Sequence, residues 1–113
     1  MGNRRLRAAN HLDFFYLLIG LRRRFQVEGD SMLPTLKHGD TVLARTIFFQ
    51  KYLKPNQIVI FYDQQRSIAM IKRLVKITIE NECIVAGDNT TESAQINPVT
   101  MKSIQGVVDS VIV

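Results

Sequence analysis

The sequence predicts an all-β protein, a small folded barrel or sandwich, with one short helix near its N-terminus. Three observations carry that expectation. Short runs of β-branched and aromatic residues are separated by Gly-Asp and Pro turns. The longest run, Ser67 to Ile79, alternates with a period of two. A chain of 113 residues, 46% hydrophobic and 22% charged, suffices for one core and not for two. No internal repeat or low-complexity stretch interrupts it.

Residues 1–24 read as a basic, partly apolar arm and residues 25–113 as the β domain. The arm carries six arginines (Arg4, Arg5, Arg7, Arg22, Arg23 and Arg24) against Asp13 alone, while the remainder balances nine basic with nine acidic residues. The basic charge therefore belongs to the arm. Phe14 to Leu21 is an apolar run of eight, far short of the roughly 20 residues that span a bilayer. No small-x-small site precedes Arg22, so a cleaved leader is not expected. Two readings stay open: a helix lying on an anionic membrane surface, or a helix packed on the body with solvated arginines. Nucleic-acid binding is not expected, because the aromatics are clustered rather than interleaved with the basic residues. The expected location is the cytoplasm, with peripheral membrane contact through residues 1–24.

In the body, Thr41–Ala44 follows the Gly39-Asp40 turn as a strand, and Ile47–Phe49 and Tyr52-Leu53 come next. Pro55-Asn56 opens a strand at Ile58–Tyr62, and the polar link Asp63–Arg66 leads into the long run. Asn81 marks a turn before Cys83–Ala86, and Gly106–Val113 closes the chain as a strand. Cys83, the single cysteine, excludes an intramolecular disulfide and reads as a buried, inert thiol. His11 and His38 are the only histidines, too few and too scattered for a zinc site. No metal and no cofactor are expected.

The chemistry concentrates at Val27-Glu28-Gly29-Asp30-Ser31-Met32-Leu33-Pro34. Gly29 permits a tight backbone, and Pro34 fixes its own φ. Such a loop can hold the Ser31 hydroxyl outward beside backbone N–H groups, which suits a nucleophile with an oxyanion site. A plain β-turn with a capping serine has the same composition. The partner comes from the long run, where Ile68, Met70, Lys72 and Leu74 share one face and Ala69, Ile71, Arg73 and Val75 the other. Lys72 thus stands between apolar neighbours, and desolvation favours the neutral amine that a general base requires. A strand lysine that snorkels to water is the alternative.

Ser31-Met32-Leu33-Pro34-Thr35-Leu36, Gly39-Asp40, Ile71-Lys72-Arg73-Leu74-Val75 and Gly87-Asp88-Asn89 fall in the order seen in signal peptidase I-like serine proteases. The resemblance covers about residues 25 to 110, and the compact size resembles the small maturation proteases of nickel-type superoxide dismutase. It implies the folded β domain shared by signal peptidase and LexA. It also implies a Ser–Lys dyad of Ser31 and Lys72 that removes an N-terminal pro-segment or leader from a precursor protein. Gly29, Asp30 and Met32 would support the oxyanion loop, and Arg73, Gly87, Asp88, Asn89 and Ser93 the architecture around it. Gly29 stands where many bacterial members carry a second oxyanion-donating serine.

One segment departs from the family pattern. Where Ser-x-Asp-Ser-Arg usually follows Gly-Asp-Asn, this chain reads Ser93-Ala94-Gln95-Ile96-Asn97. Lys72 then lacks its usual hydroxyl partner, and Asn97 cannot form the usual arginine salt bridge. Two other functions fit the same motifs. One is a self-cleaving regulator of the LexA or UmuD type, against which the short stretch before the Ser31 loop argues. The other is an inactive module of the same fold that binds a membrane or partner through residues 1–24.

Overall fold

Residues 6–46, 52–90 and 97–113 are described in a computed structural model of the chain. Among them the order is β1 (Arg7–Ala8), α1 (His11–Leu18), β2 (Arg22–Gln26), β3 (Thr41–Thr46), β4 (Ile58–Asp63), β5 (Ile68–Ile77), β6 (Glu82–Ala86), β7 (Asn97–Thr100) and β8 (Ile104–Ile112). The strands form one sheet in the order β2-β3-β8-β4-β5-β6-β7. Pairing along that path is antiparallel, and β1 lies parallel to the far end of β8. The fold is therefore all-β with one short helix, as the alternation and the turn residues predict.

Apolar side chains fill both faces of the middle strands. Every residue from Ile58 to Phe61 in β4 is buried, because Ile58 and Ile60 face one cluster and Val59 and Phe61 face the other. The first cluster holds Val27, Met32, Leu36, Val42, Ala44 and Val108; the second holds Leu53, Leu74, Cys83, Val85, Ile104 and Val107. A strand buried on both faces reads as a continuous apolar run rather than an alternating one, which is what Ile58–Phe61 shows. Leu53, read as part of a strand, lies outside any strand and serves as a core plug. Ile47–Phe49 lie outside the described residues.

The N-terminal region is woven into the sheet. Arg7 and Ala8 pair with Ser110 and Val111, and Arg22–Gln26 pair with Arg45–Thr41. The 24/25 division drawn from charge falls inside β2. Between these strands α1 has clear start and stop signals. Asn10 accepts from the Asp13 N–H at 3.1 Å, while the Asp13 carboxylate accepts from the Asn10 N–H at 2.8 Å, a reciprocal capping box. At the other end the Leu21 N–H reaches back to Tyr16 O and the Gly20 N–H to Leu17 O. Gly20 takes φ +88° there, completing a Schellman cap that only glycine adopts without strain.

Two arginines of this region are held by carboxylates rather than simply solvated. The Arg7 guanidinium forks onto both Asp13 oxygens, one contact measuring 2.7 Å. Arg22 donates to Asp109 at 3.0 Å and sits 4.9 Å from the Tyr16 ring centroid, tying α1 to β8. Arg7 and the Asn10 N–H hold the Asp13 carboxyl down to about 2, against the opposing effect of its burial.

Candidate active site

The Ser31 loop is clipped at its base and pinned to the core at its tip. The Val27 N–H donates to Asp40 O at 2.8 Å, and the Gly39 N–H to Val27 O at 2.9 Å. Gly29 turns the chain at φ +80°, and its N–H donates to His38 Nδ1 at 2.9 Å. Beyond Ser31, the Leu33 N–H returns to Asp30 O and the Leu36 N–H to Met32 O. Met32 and Leu36 are each only 1% exposed, buried in the first cluster. Ser31 therefore sits half-buried between an exposed Asp30 and a fully anchored Met32. Met32 lies under the loop as well as along the pocket beside it.

Gly87-Asp88-Asn89 buttresses this loop from behind. The Asn89 N–H donates to Ser31 O at 2.8 Å, and Asn89 Nδ2 donates to Asp30 O at 2.9 Å. Asp88 accepts from Arg73 Nε at 3.1 Å and Nη2 at 2.7 Å, and from Thr35 Oγ1 at 2.6 Å. Arg73 Nη1 donates to Asn56 O at 2.8 Å. The ion pair is buried, with Arg73 only 7% exposed. A buried charge is tolerated where partners satisfy it, as these do. Its effect is positional: Thr35 on the Ser31 loop, Arg73 on β5 and the 87–89 turn become one unit.

Lys72 follows from the register. Arg73 pairs with Ala86 and Leu74 with Val85, and the next residues along the two segments, Lys72 and Gly87, both border one cleft just beyond the end of that pairing. A Cβ on Gly87 would lie 3.3 Å from Ser31 Cβ and 2.5 Å from Ser31 O. The missing side chain of Gly87 is thus the space into which the Ser31 loop fits, next to the half-buried Lys72. Ser31 and Lys72 line one pocket of about 340 Å³, together with Val27, Glu28, Met32 and Met70. It opens into a wider cleft bordered by Asp30, Gly87 and Tyr62.

The pocket has one further property. β5 pairs with β4 from Ile68 to Arg73, but β6 joins its other side only from Arg73 onward. Among the described residues, Ile68–Ile71 keep one backbone edge without a partner strand, and that edge faces Val27, Glu28 and Ser31.

The structure thus gathers Gly29, Asp30, Ser31, Met32, Lys72, Arg73, Gly87, Asp88 and Asn89 into one region. Ser93 lies outside the described residues. Thr35, His38 and the Asn56 carbonyl carry supporting bonds that the sequence reading does not include. Thr35 had a visible signal, a hydroxyl inside the Ser31 motif; His38 and Asn56 are joined to the site by tertiary structure alone. Cys83 takes no part: it is fully buried in the second cluster, and burial pushes its thiol pKa up. Among the described residues, no cluster of His, Cys, Asp and Glu could hold a metal ion.

With the fold and site in view, the class is that of the LexA and signal peptidase I-like serine peptidases. Residues 24–109 match the model of the Peptidase S24-like family, and the chain belongs to that family. A comparison with curated proteins gave no match.

Proposed function

We propose that this protein is a serine endopeptidase in which Ser31 is the nucleophile and Lys72 the general base. The observation that carries this reading is the shared pocket, with Gly87 leaving room for the Ser31 loop beside Lys72. The neutral Lys72 amine takes the Ser31 Oγ proton as the Oγ–carbon bond forms on the scissile carbonyl. Its ammonium then gives that proton to the leaving amine as the carbon–nitrogen bond breaks. Water, activated by the same amine, hydrolyses the acyl-enzyme. The Ser31 N–H has no acceptor among the described residues, which leaves it available to the developing oxyanion.

The substrate is a peptide segment in extended form, because the open Ile68–Ile71 edge and the Val27–Glu28 bank offer a slot for one added strand. On this reading the precursor loses an N-terminal pro-segment inside the cell. The precursor of nickel-type superoxide dismutase is the candidate that the sequence resemblance singles out. Ser31→Ala and Lys72→Ala are each expected to reduce precursor cleavage by ~10³-fold or more, read by electrophoresis and N-terminal sequencing of the product. Full activity in either variant overturns the dyad.

Membership of the Peptidase S24-like family favours a second reading, self-cleavage of the LexA or UmuD type. Incubating the purified chain at raised pH separates the two: self-fragmentation abolished by Ser31→Ala supports the regulator, and an intact chain supports cleavage of a separate precursor.

A further inference from the structure

We infer that α1 and the adjoining edge of β2 form a docking surface for anionic lipid bilayers. α1 meets the body through Asp13, which is 2% exposed, and through the half-buried Tyr16 and Leu17. The rest of its apolar content points away from the protein. Leu12, Phe14, Phe15, Leu18, Ile19 and Leu21 are all between 45% and 83% exposed. Six large apolar side chains within ten residues make a contiguous exposed patch of the kind that marks an interaction surface. The capping box, the Schellman cap and the Arg7–Asp13 pair hold that face in place, so the display belongs to the folded state.

Charge identifies the occupant. β2 is the terminal strand of the sheet and packs against α1. Arg23 and Arg24 on it are exposed, and Arg45 is exposed on the neighbouring strand opposite Arg22. No carboxylate partners Arg23, Arg24 or Arg45 among the described residues. Arg24 and Arg45 share one face of this sheet edge, and Arg23, 5.3 Å from the Phe25 ring centroid, lies on the other. An apolar helical face beside these guanidinium groups, none of them held by a carboxylate, matches the two layers of a lipid surface, acyl chains below and phosphates above. A second copy of the chain fits less well. An eight-residue helix is only about 12 Å long, whereas a standard protein interface covers ~800 Å² per partner. The arginines along β2 also oppose edge-to-edge strand pairing between copies.

The geometry has a bearing on the cleft. β2 runs directly into Gln26, Val27 and Glu28, which line the pocket that holds Ser31. A membrane-seated α1 therefore holds the cleft within a few residues of the bilayer surface. No helix of the described residues is long and apolar enough to cross a membrane, so the contact is one of surface attachment.

The test uses the full chain and vesicles of phosphatidylcholine with or without phosphatidylglycerol. Co-sedimentation is expected with the anionic vesicles, at least ten-fold weaker with phosphatidylcholine alone, and weakened by added salt. Phe15→Glu/Leu18→Glu is expected to abolish it, and Arg23→Gln/Arg24→Gln to reduce it about ten-fold. These side chains are exposed, and unchanged circular dichroism checks that each variant folds. Failure of the wild-type chain to sediment with anionic vesicles overturns the proposal, as does undiminished binding by Phe15→Glu/Leu18→Glu. A dimer in the absence of lipid that becomes monomeric in that variant assigns the face to self-association and overturns it too. Ser31→Ala is expected to bind vesicles like the wild type, so the lipid contact and the peptidase reading stand or fall separately.

Discussion

Gly87 is the residue on which the spacing of the site depends. A methyl group there meets the Ser31 carbonyl oxygen at 2.5 Å, and that oxygen is backbone already bonded to the Asn89 N–H. Neither atom can swing aside as a flexible side chain would. Gly87→Ala is expected to destabilise the fold by about 1–3 kcal/mol and to lower precursor cleavage much more than that loss accounts for. Denaturant titration beside a cleavage assay measures both; activity unchanged by the substitution sinks this account. The Gly-Asp-Asn motif was visible in the sequence, but the reason for its glycine was not. Nothing within a few positions of Gly87 reports that Ser31 packs against it, because the contact joins residues 56 positions apart. His38 illustrates the same limit: its bond to the Gly29 N–H exists only once the loop closes.

The strands show where local pattern suffices and where it fails. β3, β5, β6 and β8 were legible because short apolar and β-branched runs lie between turn residues, with a period of two along β5. β2 was not. Three consecutive arginines look like a solvated arm, yet an edge strand needs only one paired side, and Arg22 finds Asp109 across the sheet. α1 was legible as an apolar segment, though its anchoring was not, since Arg7 lies six residues before the Asp13 it holds. That anchoring predicts a pH dependence. The Asp13 carboxyl is depressed from 3.8 to about 2 in the folded state. Its contribution to stability is present above the unfolded value and is lost as pH falls through about 2. Because Arg7 is half exposed, the effect is about 1 kcal/mol. The stability gap between wild type and Asp13→Asn, from urea unfolding, is expected to shrink between about pH 5 and about pH 2. A gap independent of pH argues against the ion pair.

At the scale of the molecule, the two apolar clusters lie on opposite faces of one sheet and share β4, whose side chains enter both. Neither cluster can come apart without exposing that strand. Met32→Ala in the first cluster and Val85→Ala in the second are therefore expected to lower one common transition, by about 2–4 and 1–3 kcal/mol. Far-ultraviolet circular dichroism and tyrosine fluorescence should report the same midpoint in each variant. Two resolved transitions would mean that the clusters unfold as separate units. This shared strand also explains why 113 residues carry two packed faces without forming two domains.

The bond from the Asn89 N–H to Ser31 O has a consequence in time as well as in space. The bonded residues lie 58 positions apart in the sequence (89 − 31), and contacts of long sequence separation are slow to form. A chain still emerging from the ribosome holds Ser31 with nothing behind it and Lys72 with no loop beside it. On the proposed reading, the protein is harmless to itself and its neighbours throughout synthesis, and proteolytic competence arrives only when folding is complete.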